Sequence, residues 1–172
     1  MEVVLRDLAL SDEPAFLRAV SAWPPGESLV FAPAYASGMP FADYVALLEA
    51  HARGEQLPER WVPSRTMFGF CGALLVGRLQ LRLERNDFLL RVGGQIGYAV
   101  LPELRGRGCA GSMLRQALAV AAGQYGMRRL LVTCDEDNVA SARTIESAGG
   151  VLENVMEGKR RYWIELVSEG HR

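Results

Sequence analysis

Residues 96–111, Ile-Gly-Tyr-Ala-Val-Leu-Pro-Glu-Leu-Arg-Gly-Arg-Gly-Cys-Ala-Gly, limit what this chain can become more than any other stretch. They read as a strand, a glycine-rich turn and the start of a helix, in that order. The strand is the apolar run over 95–101, and the helix is marked by Leu114, Ala117, Leu118 and Ala121, which fall on one face at helical spacing. The apolar run Leu130-Leu131-Val132-Thr133 closes a strand-helix-strand unit, so the expected fold is mixed α/β. The turn itself is suited to phosphate. Its glycines let backbone N–H groups converge on an anion, the helix start adds unpaired donors and a positive dipole end, and Arg105 and Arg107 add full charges. A ligand carrying a pyrophosphate is expected.

Upstream, Val3-Val4-Leu5 reads as a short strand, and Ser11 and Asp12 are capping candidates before an apolar helix around Phe16, Leu17 and Val20 that Trp23-Pro24-Pro25-Gly26 stops. A second helix is expected over 41–53, with Phe41, Tyr44, Val45 and Leu48 at helical spacing, followed by a turn-rich connection over 54–63. Short β-like runs at 66–71, 73–83 and 95–101 make an antiparallel meander. Downstream of the central unit, Asn138 can cap another helix ending at Gly149-Gly150, and 151–155 and 161–167 read as closing strands.

The chain has 172 residues, enough for one domain with a real core, and residues 1–172 are read as a single domain. An apolar fraction of 49% and a charged fraction of 23% are those of a folded globule. A net charge of −1 and a pI near 6.2 supply no general field for gripping nucleic acid. Cys71, Cys109 and Cys134 are spaced unlike a zinc motif and fit a reducing compartment, so no metal is expected. The first residues lack a signal-peptide pattern and no apolar run reaches membrane-spanning length, so a cytoplasmic protein is expected. His51 and His171 stand apart from any nucleophile or acid and receive no role.

Gly106, Gly108 and Gly111 also spell the G-x-G-x-x-G of dinucleotide-binding folds, with Asp135 after the next strand where a ribose-binding acid would sit. Three features oppose that reading. A meander precedes the glycines, residues 102–105 separate strand from turn, and too little chain follows Asp135 for a doubly wound sheet.

Arg105, Gly108 and Ala110 instead match the acetyl-CoA signature of the GNAT superfamily of N-acetyltransferases: Arg or Gln, two residues, Gly, one residue, Gly or Ala. The resemblance extends over the strand before the turn and over 130–141, about the C-terminal half of the chain; the run from 138 to Tyr162-Trp163 resembles a bacterial branch of that superfamily. It implies a mostly antiparallel sheet splayed at the cofactor strand, with helices on both faces. It further implies that Arg105, Gly106, Arg107, Gly108, Cys109 and Ala110 wrap the pyrophosphate of acetyl-CoA, and that the backbone of residues 98–100, through Tyr98 and Val100, pairs with the pantetheine arm. By the same resemblance the Tyr98 N–H polarises the thioester carbonyl, the kind of fixed donor that best stabilises developing negative charge. Asn138 and Ser141 match the start of a second CoA-contacting helix; the resemblance puts Asn138 beside Tyr98 among the catalytic residues, and Asn138 is equally a good N-cap.

Two departures stand out. Four residues after Ser141, where many relatives carry a Tyr that protonates the leaving thiolate, this sequence has Ile145, leaving Tyr162 as a weak substitute. Gln95 lies near where relatives carry a carboxylate base, leaving water or Asp135, Glu136 and Asp137, acids that also read as a solvated loop. Cys134 reads as an inert buried thiol rather than an acyl carrier. The implied function is direct transfer of an acetyl group to a small-molecule or peptide amine, in a protein for which a homodimer is allowed. The alternatives are a non-catalytic acyl-CoA-binding module and, further off, a dinucleotide-binding protein.

Overall fold

The computed structural model describes residues 1–27 and 29–167, so His171 lies outside the described residues. The elements run β1 (Val4–Arg6), α1 (Glu13–Ala22), α2 (Phe41–Ala52), β2 (Ser64–Cys71), β3 (Leu74–Arg82), β4 (Ile96–Val100), α3 (Cys109–Tyr125), β5 (Arg129–Asp135), α4 (Val139–Ser147), β6 (Val151–Met156) and β7 (Lys159–Glu165). One seven-stranded sheet has the order β1-β2-β3-β4-β5-β7-β6. Every neighbouring pair is antiparallel except β4 and β5.

That exception defines the molecule. β3 and β4 stay in register from Leu81↔Ile96 to Gly77↔Val100, but β4 and β5 meet only at Ile96↔Val132 and then part. The expected splayed sheet is therefore present. Since the glycine turn follows an antiparallel meander and no doubly wound sheet exists, the dinucleotide-binding fold is excluded. Asp135, its would-be ribose acid, is instead ion-paired with Lys159 across the β5–β7 ladder.

Side chains alternate between the two faces. On one face Phe68 meets Phe16 of α1, whose ring also packs on Tyr35, Phe41 and Tyr44 at centroid distances of 5.0–5.2 Å. On the other, Met113 of α3 lies against Gly69 and Gly77, where added Cβ atoms would come within 2.6 Å of its Sδ and 2.9 Å of its Cε respectively. A Cβ on Gly77 would also meet the Ala99 carbonyl at 2.5 Å, so this glycine lets β3 and α3 approach β4 closely. Following the registers, Tyr98 and Val100 share the α3 face with Val132, Cys134 and Tyr162; Gly97 and Ala99 share the α1–α2 face with Arg78, Gln80 and Arg161.

Two local expectations shift. Asp12 does not cap α1 with its side chain; its carboxylate takes the Arg6 guanidinium at 2.7 and 2.9 Å and the Ala9 N–H at 2.7 Å, tying β1 to the entry of α1. The last strand begins at Lys159, not 161, because Glu157 and Gly158 have φ of 50° and 76°, the left-handed pair of a two-residue hairpin turn.

Candidate active site

The glycine turn holds its shape by backbone conformation. Gly106 and Gly108 have φ of 75° and 81°, a region L side chains rarely adopt, and open space lies where their Cβ atoms would be. Gly108 is the N-cap of α3, so no capping side chain and no acid occupies the first turn. Among the described residues the N–H groups of residues 106–111 donate to no protein acceptor; Ser112 N–H is the first to close the ladder, on Gly108 O at 3.1 Å. Six donors without a protein acceptor and a helix dipole are thus gathered at one turn, the chemistry of a phosphate cradle. Cys109, the buried first residue of α3, anchors the turn; Ala110 is half-buried and Arg107 exposed.

Arg105 points elsewhere. Its Nε donates to Val100 O at 3.2 Å, its Nη2 donates to Glu27 Oε1 at 3.1 Å, and its guanidinium stands over the Trp23 ring at 5.6 Å. The loop after α1 therefore holds this arginine by its charge.

The parting of β4 and β5 exposes a strand edge. The bonds Arg82 N–H to Gln95 O (2.8 Å) and Leu101 N–H to Val76 O (3.0 Å) fix the β3–β4 ladder so that the Gln95 carbonyl and residues 97, 99 and 101 face β3. The Tyr98 and Val100 amides consequently point toward β5, into the gap. Val100 O is taken by Arg105; the rest of this edge suits an extended amide-bearing chain.

Across the gap, the Tyr98 hydroxyl and Ser141 Oγ are 2.6 Å apart, linking β4 to the first turn of α4. Burial raises the Tyr98 phenol, so the hydroxyl keeps its proton at neutral pH. Asn138 caps α4, its Oδ1 accepting from Ser141 N–H at 3.1 Å. Ile145 is fully buried, and the Tyr162 ring is equally enclosed with its hydroxyl donating to Glu146 at 2.8 Å, which commits it to packing against α4. Cys134 is buried and its thiol is raised, first by desolvation, the reverse of an activated nucleophile.

Gln95 is a strut. It is buried, its Oε1 accepts from Leu131 N–H at 3.2 Å, and its own N–H donates to Leu131 O at 2.7 Å, so it closes the crotch of the splay on β5. Its side-chain oxygen is thereby spent on backbone. Asp135, Glu136 and Asp137 are exposed beside Gly158.

The sequence reading missed three residues. Besides Glu27, they are Arg78 and Arg82 of β3, on the α1–α2 face. Arg78 is only 4% exposed; its Nε and Nη2 donate to Phe31 O (2.8 Å) and Val30 O (2.6 Å). Arg82 donates through Nη1 to Gly93 O (3.1 Å) and Gly94 O (3.0 Å). Both guanidiniums lean over Gly97: a Cβ there would lie 3.7 Å from Arg78 Nη1 and 3.8 Å from Arg82 Nη2. Burial, and then the neighbouring Arg82 charge, pull Arg78 down to about 10; burial lowers Arg82 as well. The available signal was the alternation Arg78-Leu79-Gln80-Leu81-Arg82, which places polar groups on one face of a central strand.

The sequence profile of the acetyltransferase (GNAT) domain matches residues 3–151. No curated protein matches the chain in sequence. Among solved structures, the chain is similar to RimL, a ribosomal L7/L12 alpha-N-protein acetyltransferase in complex with coenzyme A, with a TM-score of 0.64 and 17% identity over 97% of this chain and 96% of that one. Mycobacterium smegmatis RimJ, in complex with CoA-disulfide, gives a TM-score of 0.65 and 18% identity over 95% and 81% of the two chains. Mutant forms of the spermidine/spermine N-acetyltransferase SpeG from Vibrio cholerae give 0.61 and 17% over 96% and 95%.

Proposed function

Because the chain belongs to the GNAT acetyltransferase family, we propose that residues 1–172 form one acetyl-CoA-dependent N-acetyltransferase domain acting by direct transfer to an amine. The observation that carries the reading is the pairing of two sets of donors that meet no protein acceptor among the described residues. Six amides at 106–111 suit a pyrophosphate, and the Tyr98 and Val100 amides suit the amide-bearing arm that leads away from it. In this reading Arg105, Gly106, Arg107, Gly108, Cys109 and Ala110 cradle the diphosphate, with Asn138 and Ser141 holding the opposite wall of the gap.

When bound, acetyl-CoA supplies a thioester whose carbonyl carbon bonds to the acceptor nitrogen as the C–S bond breaks, the amine's proton balancing the sulfur as a thiol. The Tyr98 N–H donates to the oxygen on which negative charge grows. The Tyr98 hydroxyl, kept protonated and paired with Ser141, is the group we assign to hand a proton toward sulfur in place of the residue missing at Ile145. With Gln95 locked in the sheet, deprotonation of the amine falls to water or to the acceptor itself.

We place the protein in the cytoplasm, a reading supported by three free cysteines. Among the described residues no helix is long and apolar enough to cross a membrane. The test is release of free thiol from acetyl-CoA with a panel of amines, alongside calorimetric titration of CoA. Binding without turnover of any amine would leave only an acyl-CoA-binding module.

A further inference from the structure

Arg78 and Arg82 are unlike the other arginines drawn into the fold. Arg6 pairs with Asp12, Arg65 with Asp7 and Arg161 with Glu153, whereas Arg78 and Arg82 meet only backbone carbonyls and no carboxylate among the described residues. Two like charges taken out of water beside each other and left without a counter-ion are costly, and folds keep such an arrangement where an anion completes it. Their guanidiniums converge on Gly97, where an added Cβ would stand in ordinary contact with both. Gly97 adjoins Tyr98, one residue's rise of about 3.3 Å along β4, and lies on the face opposite the Tyr98–Ser141 link. The glycine turn lies past the far end of β4, so this charge is separate from the phosphate cradle.

Resting on the N-acetyltransferase reading above, we propose that the acceptor is an amine bearing a carboxylate a few bonds from its nitrogen, and that Arg78 and Arg82 bind that carboxylate. A planar carboxylate matches the fork of a guanidinium, and a cation such as a polyamine is repelled by the pair. Arg78 is held through Nε and Nη2 by the Phe31 and Val30 carbonyls and Arg82 through Nη1 by those of Gly93 and Gly94, so Arg78 Nη1 and Arg82 Nη2, the nitrogens beside Gly97, are positioned before any ligand arrives. Two sources offer the same chemistry: a free amino acid, or a peptide whose first residue is Asp or Glu.

The experiment compares matched acceptors: free amino acids against their amides, peptides beginning with Asp or Glu against those beginning with Asn or Gln, and spermidine. Wild-type kcat/KM is expected to favour the carboxylate member at least tenfold in one of the two series, which identifies the source. Arg82→Gln keeps an amide donor and removes the charge; it should erase that preference while CoA affinity, read by calorimetry, stays within about twofold, and Arg82→Lys should restore part of it. Calorimetry of the same acceptors with CoA present supplies a readout free of turnover. Carboxylate binding that Arg82→Gln abolishes supports the proposal even if no acetyl transfer occurs, in which case the N-acetyltransferase reading alone falls. Amides or spermidine turned over as well as carboxylates, or a preference unchanged in Arg82→Gln, overturn the proposal and leave acetyl transfer standing.

Discussion

Arg105 arrives at the glycine turn already engaged, and that sets a measurable sign. A charge-assisted hydrogen bond from an arginine to phosphate contributes about 1.5–3 kcal/mol. The Arg105–Glu27 pair has side chains 48% and 32% exposed, so solvent screening holds its worth to about 0.2–1 kcal/mol, and that amount is lost if Arg105 turns to the cofactor. Arg105→Ala should then weaken CoA binding by about 0.5–2.8 kcal/mol, a roughly 2- to 110-fold rise in Kd. Glu27→Gln removes the competitor and should tighten binding by about 1.4- to 5-fold, and in that background Arg105→Ala should cost the full amount. Calorimetric titration of CoA into the four proteins at one ionic strength closes the cycle. If Glu27→Gln weakens binding, or Arg105→Ala leaves it unchanged, Arg105 serves the loop of Trp23 and Glu27 and not the cofactor.

Other consequences are as concrete. Cys134→Ser should retain most activity, and intact-mass measurement of the wild type with acetyl-CoA alone should show no acetyl adduct, since the raised thiol holds almost no thiolate. At subsaturating acceptor, kcat/KM should climb with pH toward the acceptor's own pKa: freeing an α-amine near 7.8 at pH 7 costs about 1.1 kcal/mol against about 4.6 for a lysine-like amine. A profile already flat near pH 6 with a high-pKa amine would reveal an efficient base. Asp12→Ala should lower stability by about 1–2 kcal/mol at pH 7, a figure already reduced for the partly exposed Arg6. The hydrogen bond from Arg6 holds the Asp12 carboxyl below its ordinary value, so this contribution is present above about pH 4 and is lost as pH falls through the folded pKa. Denaturant melts at pH 7 and pH 3 should show the gap between the two proteins shrinking in acid.

The parts legible in sequence were those fixed by local pattern. Leu114, Ala117, Leu118 and Ala121 marked α3, the meander followed from β-prone runs broken by turns, and Asn138 caps the helix it was expected to cap. Gln95 shows where such reading ends. Its neighbourhood in the chain suggested a position facing the acceptor, yet Gly94, at φ 65° after a π-helical turn over Leu89–Gly93, turns the backbone so that the side chain spans to Leu131. Arg78 and Arg82 looked like polar interruptions of an apolar strand; Arg78 is held by the carbonyls of Val30 and Phe31, 48 and 47 positions away, and Arg82 by those of Gly93 and Gly94 at a turn not foreseen at 89–93. The Arg105–Glu27 pair spans 78 positions, and nothing in either local segment announces it.

The lone bridge at Ile96↔Val132 has a mechanical meaning. A sheet torn down most of one seam is a body with a crack, and the crack stops where Gln95 stitches the two halves together. A cofactor arm laid along the Tyr98–Val100 edge would act as mortar, replacing the missing ladder, and resistance to heat would then belong to protein and ligand jointly. By mass action, a ligand at a hundred times its Kd adds about 2.7 kcal/mol. The durability of the folded chain would thus rise and fall with the supply of CoA around it, making each molecule a gauge of the pool it draws from.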